Sequence, residues 1–249
     1  MYEVEQGEIP REFEIAWQCA RRHIKNMGQD AVQGFFTPSS LSMAEHLSFR
    51  LGNQLFFVYV DTDVLPFVGK RKEMFLGECH EAEATPCVLK MEQRTVTFEP
   101  SHAGWGFVDP VTGSSINPTD LVSSELIEMS DWEVHEFAIQ IVQSHLEKEG
   151  KNVFAVQSSR RIDPSIWFKD KNCTAWVIVR ADRYPKKNAA RPTNIEDIKL
   201  SCARVSNVGF FASVTVASFE DSFDPQGKVA APLYRGNLLL SKFEGLEPL

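Results

Sequence analysis

The stretch that decides the fold of the C-terminal half is residues 130–150, SDWEVHEFAIQIVQSHLEKEG. Ser130 and Glu133 have the spacing of a capping box, in which each side chain accepts a hydrogen bond from the other residue's backbone N–H. Apolar residues then recur at helical spacing, and Gly150 is placed to end the helix. The pattern therefore predicts a helix, with Glu136 on a polar ridge that faces solvent.

The residues after this helix favour extended structure. Three short apolar runs, at 153–157, 165–168 and 173–181, are typical of strands. Thr193 or Asn194 is placed to cap a second helix that buries Ile198 and Cys202. A further strand is predicted over 208–219, and an edge strand or a tail over 233–243. Residues 130–219 are thus predicted to follow the order α-β-β-β-α-β.

The N-terminal half reads as a helix followed by antiparallel strands. Helical spacing predicts a helix over residues 10–27, and Ser39 or Ser40 is placed to cap a short helix that runs through Phe49. Strands are predicted at residues 55–60, 74–78, 87–91 and 95–98, arranged as a meander. We therefore expect an α+β protein with an N-terminal region, 1–125, and a C-terminal region, 126–249. No internal repeat is visible in the sequence.

Composition excludes several classes of protein. The chain has 249 residues, of which 43% are hydrophobic and 24% charged, as in ordinary globular domains. No run approaches the ~20 apolar residues of a membrane helix, and the acidic first fourteen residues do not resemble a signal peptide. We therefore expect a cytoplasmic protein with no membrane partner. Five scattered cysteines, with no Cys-x-x-Cys pair, argue against a disulfide framework and a structural zinc site.

Charge is unevenly distributed along the chain. The net charge is −8, yet residues 151–205 hold twelve lysines and arginines against five acidic residues, a net charge of +7. A basic block of this kind attracts polyanions, and nucleic acid is the obvious candidate partner. The alternative is that the block docks on the acidic remainder or is simply solvated. The candidate anion site consists of Arg160, Arg161, Arg180, Lys186 and Lys187.

Two motifs in the C-terminal half carry a resemblance to a known family. Residues 162–164, Ile-Asp-Pro, precede a predicted β-hairpin, and residues 176–180, Trp-Val-Ile-Val-Arg, lie on its second strand. Together with the order α-β-β-β-α-β over 130–219, this resembles the PD-(D/E)XK nuclease-like superfamily. That family places an Asp before one strand and an acid, one residue and a Lys on the next, often with a helical Glu. The acids bind a divalent cation and the Lys positions or activates water.

The family motif is degenerate in this chain. The resemblance matches Asp163 to the family's Asp and Glu136 to its helical Glu, but Ile178 replaces the second acid and Arg180 replaces the Lys. Isoleucine does not bind metals, and arginine stays protonated. We therefore expect no metal site, no cofactor and no nuclease activity. On an apolar strand, Arg180 must pair with an acid such as Asp163 or Glu136, lie at the edge of the core, or face a ligand phosphate.

The sequence predicts a catalytically inactive nuclease-like protein that binds nucleic acid or another anion. An alternative is a non-enzymatic interaction or structural protein, in which surfaces rich in its 18 phenylalanines mediate self-association or partner binding. A third possibility is an active enzyme whose metal ligands come from the N-terminal half, for instance Asp61 and Asp63. Salt-dependent affinity for DNA or RNA separates the first two readings.

Overall fold

The chain is an α+β protein built from two compact units. The computed structural model describes residues 10–29, 32–33, 46–220 and 230–249. Among these, residues up to 125 form the N-terminal unit, and residues from 126 onward form the C-terminal unit. No helix in the described ranges is long and apolar enough to cross a membrane.

The N-terminal unit packs its first helix against a mixed sheet. Its elements are α1 (Arg11–Gly28), β1 (Val32–Gln33), β2 (His46–Leu51), β3 (Gln54–Asp61), α2 (Gly69–Ala82), β4 (Thr85–Arg94), β5 (Thr97–Pro100), β6 (Phe107–Val108), β7 (Ser115–Ile116) and α3 (Pro118–Leu121). The predicted N-terminal helix is confirmed, and most neighbouring strands are antiparallel. However, β3 and β4 run parallel, and α2 connects them as a crossover.

Two local predictions in this unit are wrong. Residues 74–78, predicted as a strand, lie inside α2, where Phe75, Cys79 and Ala82 are buried at helical spacing. Phe49, predicted at the end of a short helix, lies in β2 and stacks on Phe56 of β3 with ring centroids 5.0 Å apart. A short apolar run fits both the helical and the strand period. For the segment that contains Phe49, pairing with β3 decides that it forms a strand. Residues 39–45 of that predicted helix lie outside the described residues.

The C-terminal unit follows the predicted order of elements. Its elements are α4 (Asp131–Lys148), β8 (Asn152–Val156), β9 (Ile166–Asp170), β10 (Cys173–Arg183), α5 (Ile195–Cys202), β11 (Gly209–Ser218), β12 (Leu239–Phe243) and β13 (Glu247–Pro248). The capping box is present, since Ser130 Oγ accepts from the Glu133 N–H at 3.3 Å and Glu133 Oε2 accepts from the Ser130 N–H at 2.9 Å. The edge strand is confirmed as β12.

The C-terminal sheet is covered unequally on its two faces. Strands β8, β9 and β10 are antiparallel neighbours, and β10 runs parallel to β11. Val177 and Val179 of β10 pack in the cluster beneath the 18-residue helix α4, whereas Trp176 and Ile178 pack in a smaller cluster beneath the eight-residue helix α5. Because alternate residues of a strand face opposite sides, Arg180 shares the α5 side. The shorter helix leaves part of that side open.

The two units have the same topology. In each, three strands pair antiparallel in chain order (β1–β2–β3 and β8–β9–β10), and the third pairs parallel with a fourth after a helical crossover. The fourth strands, β4 and β11, then each pair antiparallel with two later strands. Both second hairpins close with two residues, Gly52-Asn53 and Lys171-Asn172, and the first residue of each turn has a φ near +56°.

Candidate functional site

The candidate site is centred on an ion pair between Arg180 and Asp163. Arg180 lies on β10, and Asp163 lies in the loop that precedes β9. Arg180 Nη1 donates to Asp163 Oδ1 at 2.9 Å and Nη2 donates to Oδ2 at 2.6 Å. The side chains are only 21% and 10% exposed. Of the partners considered from the sequence, Asp163 is the one that Arg180 binds.

The hydrogen bonds of this ion pair determine which ligands the Asp163 carboxylate can bind. Both carboxylate oxygens of Asp163 bind the guanidinium, which also donates to the Val179 carbonyl at 2.8 Å. Ile178, which the resemblance matches to the second acid, is fully buried in the apolar cluster beneath α5. Within the described ranges, no three His, Cys, Asp or Glu side chains come together to hold a metal ion. The arrangement is an internal ion pair.

Glu136 is buried, so its predicted place on a solvent-facing ridge is wrong. Its side chain accepts hydrogen bonds from Gln140 at 3.4 Å and from Ser158. Burial raises the pKa of the Glu136 carboxyl. The structure therefore places Glu136 beside Gln140 and Ser158, while Arg180 pairs with Asp163. The helical pattern missed this because the buried face of α4 also includes the polar neighbours Glu133 and His135.

His135 lies in the first turns of α4, on the buried side of the helix. The imidazole is 2% exposed. Burial, followed by the positive charges of Arg180 and Arg160, lowers the pKa of His135 to about 3. The imidazole is therefore neutral at physiological pH, and the first turns of α4 lie close to both arginines.

Asp131 at the start of α4 holds two arginines. Its Oδ2 accepts from Arg160 Nη1 at 2.9 Å, and its Oδ1 accepts from Arg183 Nη1. Hydrogen bonds from Arg183 and then Arg160 hold the pKa of this carboxyl below its usual value, against the opposing effect of partial burial. Sequence analysis did not single out Asp131 or Arg183, because 52 residues separate them and neither belongs to the family motif.

The remaining candidate cations do not converge on Arg180. Lys186 lies in the loop that follows β10, and its Nζ is 3.1 Å from Asp182 Oδ2. Lys187 is exposed and its backbone carbonyl accepts from Thr215. Arg161 is exposed in the loop before β9. The five predicted cations are therefore distributed over β10 and the loops before β9 and after β10, and Arg160, Arg180 and Lys186 bind separate carboxylates.

The basic block as a whole is nevertheless a surface feature. Every residue of 151–205 is described, and eight of its twelve cationic side chains are exposed. These are Arg160, Arg161, Lys169, Lys171, Lys186, Lys187, Arg191 and Arg204. Several pair with single carboxylates at the surface, where such pairs contribute little to stability.

The third reading, a metal site at Asp61 and Asp63, concerns the end of β3. Asp61 Oδ1 accepts from the Phe67 backbone N–H at 2.9 Å, which stabilises the turn that leads into α2. Asp63 is exposed in the same turn. No third metal-binding side chain joins these two among the described residues. Asp61 therefore has a structural partner that accounts for its position.

Comparison with known proteins bears on the C-terminal unit. No curated protein and no solved structure matches the chain. Residues 132–249 match the model of a family described as a domain of unknown function (DUF8840). The match begins at the second residue of α4 and extends to the end of β13, so the C-terminal unit is similar to this family over nearly its whole length.

Proposed function

We propose that the C-terminal unit is a nuclease-like core without catalytic activity that binds nucleic acid through its exposed basic residues. The order α4-β8-β9-β10-α5-β11 supports the resemblance to the PD-(D/E)XK nuclease-like superfamily. The resemblance assigns Asp163 and Arg180 to two positions of the family motif, and these residues form an ion pair between the loop before β9 and strand β10.

The Arg180–Asp163 pair supports the absence of catalysis. A metal-dependent nuclease needs carboxylate oxygens directed at a hard cation. Here the Asp163 carboxylate is neutralised by a guanidinium, and Ile178, which the resemblance matches to the second acid, is an apolar side chain. Recruiting Asp163 to a cation would leave Arg180 without its partner in a largely buried place, which is costly.

The observation that carries the binding proposal is the exposure of the basic block. Eight cations within 55 consecutive residues face solvent in a chain whose net charge is −8. Arg160 and Lys186 bind single carboxylates that are themselves at least partly exposed, so phosphates can compete for them at small cost. Each phosphate contact releases condensed counterions and adds affinity that depends on salt.

Cleavage and binding measured on the same samples test this proposal. Labelled single- and double-stranded DNA and RNA are incubated with the protein and Mg²⁺ or Mn²⁺, and binding is followed by fluorescence anisotropy before the products are separated. We expect the nucleic acid to be bound and recovered intact by both the wild-type protein and Asp163→Ala. Reproducible cleavage that Asp163→Ala abolishes would show that the unit is an active nuclease.

A second candidate function is protein–protein interaction at the end of α5. Leu200, Val205 and Val208 are exposed by 75%, 65% and 40%, and they follow one another along α5 and the loop that leads to β11. Neighbouring exposed apolar side chains are typical of interaction surfaces. Sedimentation at two salt concentrations tests this candidate, because apolar association persists at high salt whereas binding to phosphates does not.

A further inference from the structure

A cleft of about 200 Å³ opens on the α5 side of the C-terminal sheet. Its walls are formed by Trp167 of β9, by Ile162 and Pro164 of the preceding loop, and by Ser201 and Cys202 of α5. The end of β8 and Asp163 complete the lining. Most of the lining is apolar, with polar groups at a few points.

The cleft exists because α5 is too short to cover its side of the sheet. The buried cluster beneath α5 includes Trp176, Ile178 and Phe211. Trp167 lies directly opposite Trp176 on the neighbouring strand, yet it is only partly buried. Trp167 is therefore partly exposed beside α5, where it lines a depression rather than a flat surface.

We propose that this cleft holds one nucleobase of a single-stranded nucleic acid, stacked on Trp167, with the flanking phosphates against Arg160 and Arg161. The inference rests on the proposed function and specifies which form of nucleic acid the unit recognises. Pockets for drug-sized ligands measure roughly 300–1,000 Å³, so a smaller cleft suits a single ring system. Aromatic side chains bind bases of single strands by stacking, whatever their sequence.

The chemistry of the lining separates the base from its phosphates. Asp163 lines the cleft and is held by Arg180, so the interior offers no unpaired cation for a phosphate. Burial raises the pKa of the Cys202 thiol to about 12, so that this part of the wall is neutral. Cationic groups lie instead at the outer end of the loop, where Arg160 and Arg161 directly precede Ile162. A base inside the cleft and phosphates at the outer end of the loop match this distribution of neutral and cationic groups.

The N-terminal unit provides an internal comparison. Residues 46–51 of β2 occupy the same place in their hairpin as residues 165–170, so Ser48 corresponds to Trp167 and Asp61 corresponds to Arg180. Ser48 is buried and offers no ring for stacking. We therefore expect base binding to be confined to the C-terminal unit.

Oligomers with and without bases test the cleft. Fluorescence anisotropy compares a labelled oligothymidylate with an abasic oligomer that carries the same number of phosphates. We expect the wild-type protein to bind the oligothymidylate about 5- to 150-fold more tightly, the range that one stacked base contributes. Trp167→Leu and Ser201→Phe, which fills the cleft from the exposed side of α5, should remove that preference. Phe154→Leu changes an exposed aromatic residue outside the cleft and should leave the preference unchanged.

The possible outcomes separate this inference from the proposed function. Equal binding of both oligomers by the wild-type protein would overturn the base site, leave binding through phosphates intact and favour a protein side chain as the occupant. Absence of binding to either oligomer would overturn both proposals. A folded Ser201→Phe variant that keeps the full preference would also overturn the base site, even if Trp167→Leu proves unstable.

A second inference rests on the strand pairing that the two units share and is independent of the cleft. We infer that the two units are copies of one domain joined in tandem. Buried residues of α1, at positions 13, 16, 17, 20 and 24, recur 122 residues later at the buried positions 135, 138, 139, 142 and 146 of α4.

The later elements of the two units match in the same way. The β2–β3 and β9–β10 hairpins correspond with a shift of 119 residues. A shift of 123 residues relates Cys79 to Cys202 and Val88 to Phe211, which are all buried. Three nearly equal shifts over consecutive elements are what a duplication leaves after small insertions and deletions.

A crystal structure of the chain tests the duplication. Superposing the two units with the three stated shifts should place equivalent Cα atoms closer together than any alignment displaced by one or two residues. A parallel pairing of β3 with β4 should also be present. An antiparallel β3–β4 pair, or a better fit with displaced shifts, would overturn the inference.

Discussion

Arg180 on β10 and Asp163 in the loop before β9 bind each other through two parallel hydrogen bonds. Planar guanidinium and carboxylate groups match in this geometry, which makes the pair stronger than a single contact. Both side chains are largely shielded from water. The pair therefore holds the loop before β9 against β10 and leaves Asp163 committed to a structural role.

Breaking this ion pair should destabilise the C-terminal unit. Because removal of one partner leaves a charge without compensation in a poorly hydrated place, we expect Asp163→Ala and Arg180→Met each to lower the free energy of unfolding by about 2–4 kcal/mol. The double variant should lose less than the sum of the two, with a coupling of about 1–3 kcal/mol. Chemical denaturation of the four proteins measures the coupling, and additive losses would argue against a direct interaction.

Asp131 binds two arginines, which the proposed function would make available to nucleic acid when Asp131 is replaced. Asp131→Asn removes a negative charge and releases Arg160 and Arg183 from their carboxylate partner. We therefore expect tighter binding of DNA at low salt and a steeper dependence of the dissociation constant on salt. Glu147→Gln, at an exposed position near the other end of α4, makes the same charge change as a control. Equal effects of the two substitutions would show that only net charge matters.

His135 makes stability depend on pH in the acidic range. Its pKa is about 3 in the folded protein and near 6.5 when unfolded, so the unfolded chain binds more protons between these values. The free energy of unfolding should therefore fall as pH decreases from 6.5 towards 3, by up to about 1.4 kcal/mol per pH unit.

The variant His135→Gln isolates this contribution. Glu136 has a raised pKa and acts with the opposite sign, but it is present in both proteins and cancels in the difference. The difference in unfolding free energy between wild type and variant, measured by denaturation at several pH values, should shrink as pH falls below 6.5. A difference independent of pH would contradict burial of a neutral imidazole.

Gly209 is required by the ring of Trp176. The two residues are partners in the β10–β11 ladder, and a Cβ at position 209 would lie 2.3 Å from the indole. Overpacking of this kind costs about 1–3 kcal/mol or more. We expect Gly209→Ala to lower the melting temperature clearly, whereas Gly113→Ala, in an open turn, should act only through its positive φ. Equal decreases in melting temperature for the two variants would mean that the close approach of residue 209 to the Trp176 ring does not affect stability.

Sequence patterns predicted the C-terminal unit well because its signals are local. The capping box fixes the start of α4, and alternation along β10 separates the Val177 side from the Trp176 side. Helix α2, which forms the N-terminal crossover, was harder to predict from the sequence. Phe75 and Cys79 are four residues apart in a short segment that fits either a helix or a strand. There, packing against the sheet decides the structure.

The repeated topology was not visible in the sequence, for a physical reason. The two units share burial at equivalent positions more often than residue identity: Ala16 and Ala138 are identical, but Phe13 corresponds to His135 and Trp17 to Ile139. Different buried side chains satisfy the same backbone arrangement as long as total volume is kept. The Asp131–Arg183 contact was equally hidden, because nothing local relates two exposed charges 52 residues apart.

The salt dependence of single-stranded DNA binding tests most directly whether exposed cations of the C-terminal unit bind phosphates, as we propose. The triple variant Arg161→Gln, Lys186→Gln, Lys187→Gln is compared with a control of equal charge in the N-terminal unit, Lys25→Gln, Lys70→Gln, Lys90→Gln. We predict that the slope of log Kd against log salt becomes shallower by about 0.7 for each lost contact, in the first variant only. Equal slopes in both variants, or no binding by the wild-type protein at low salt, would contradict the account.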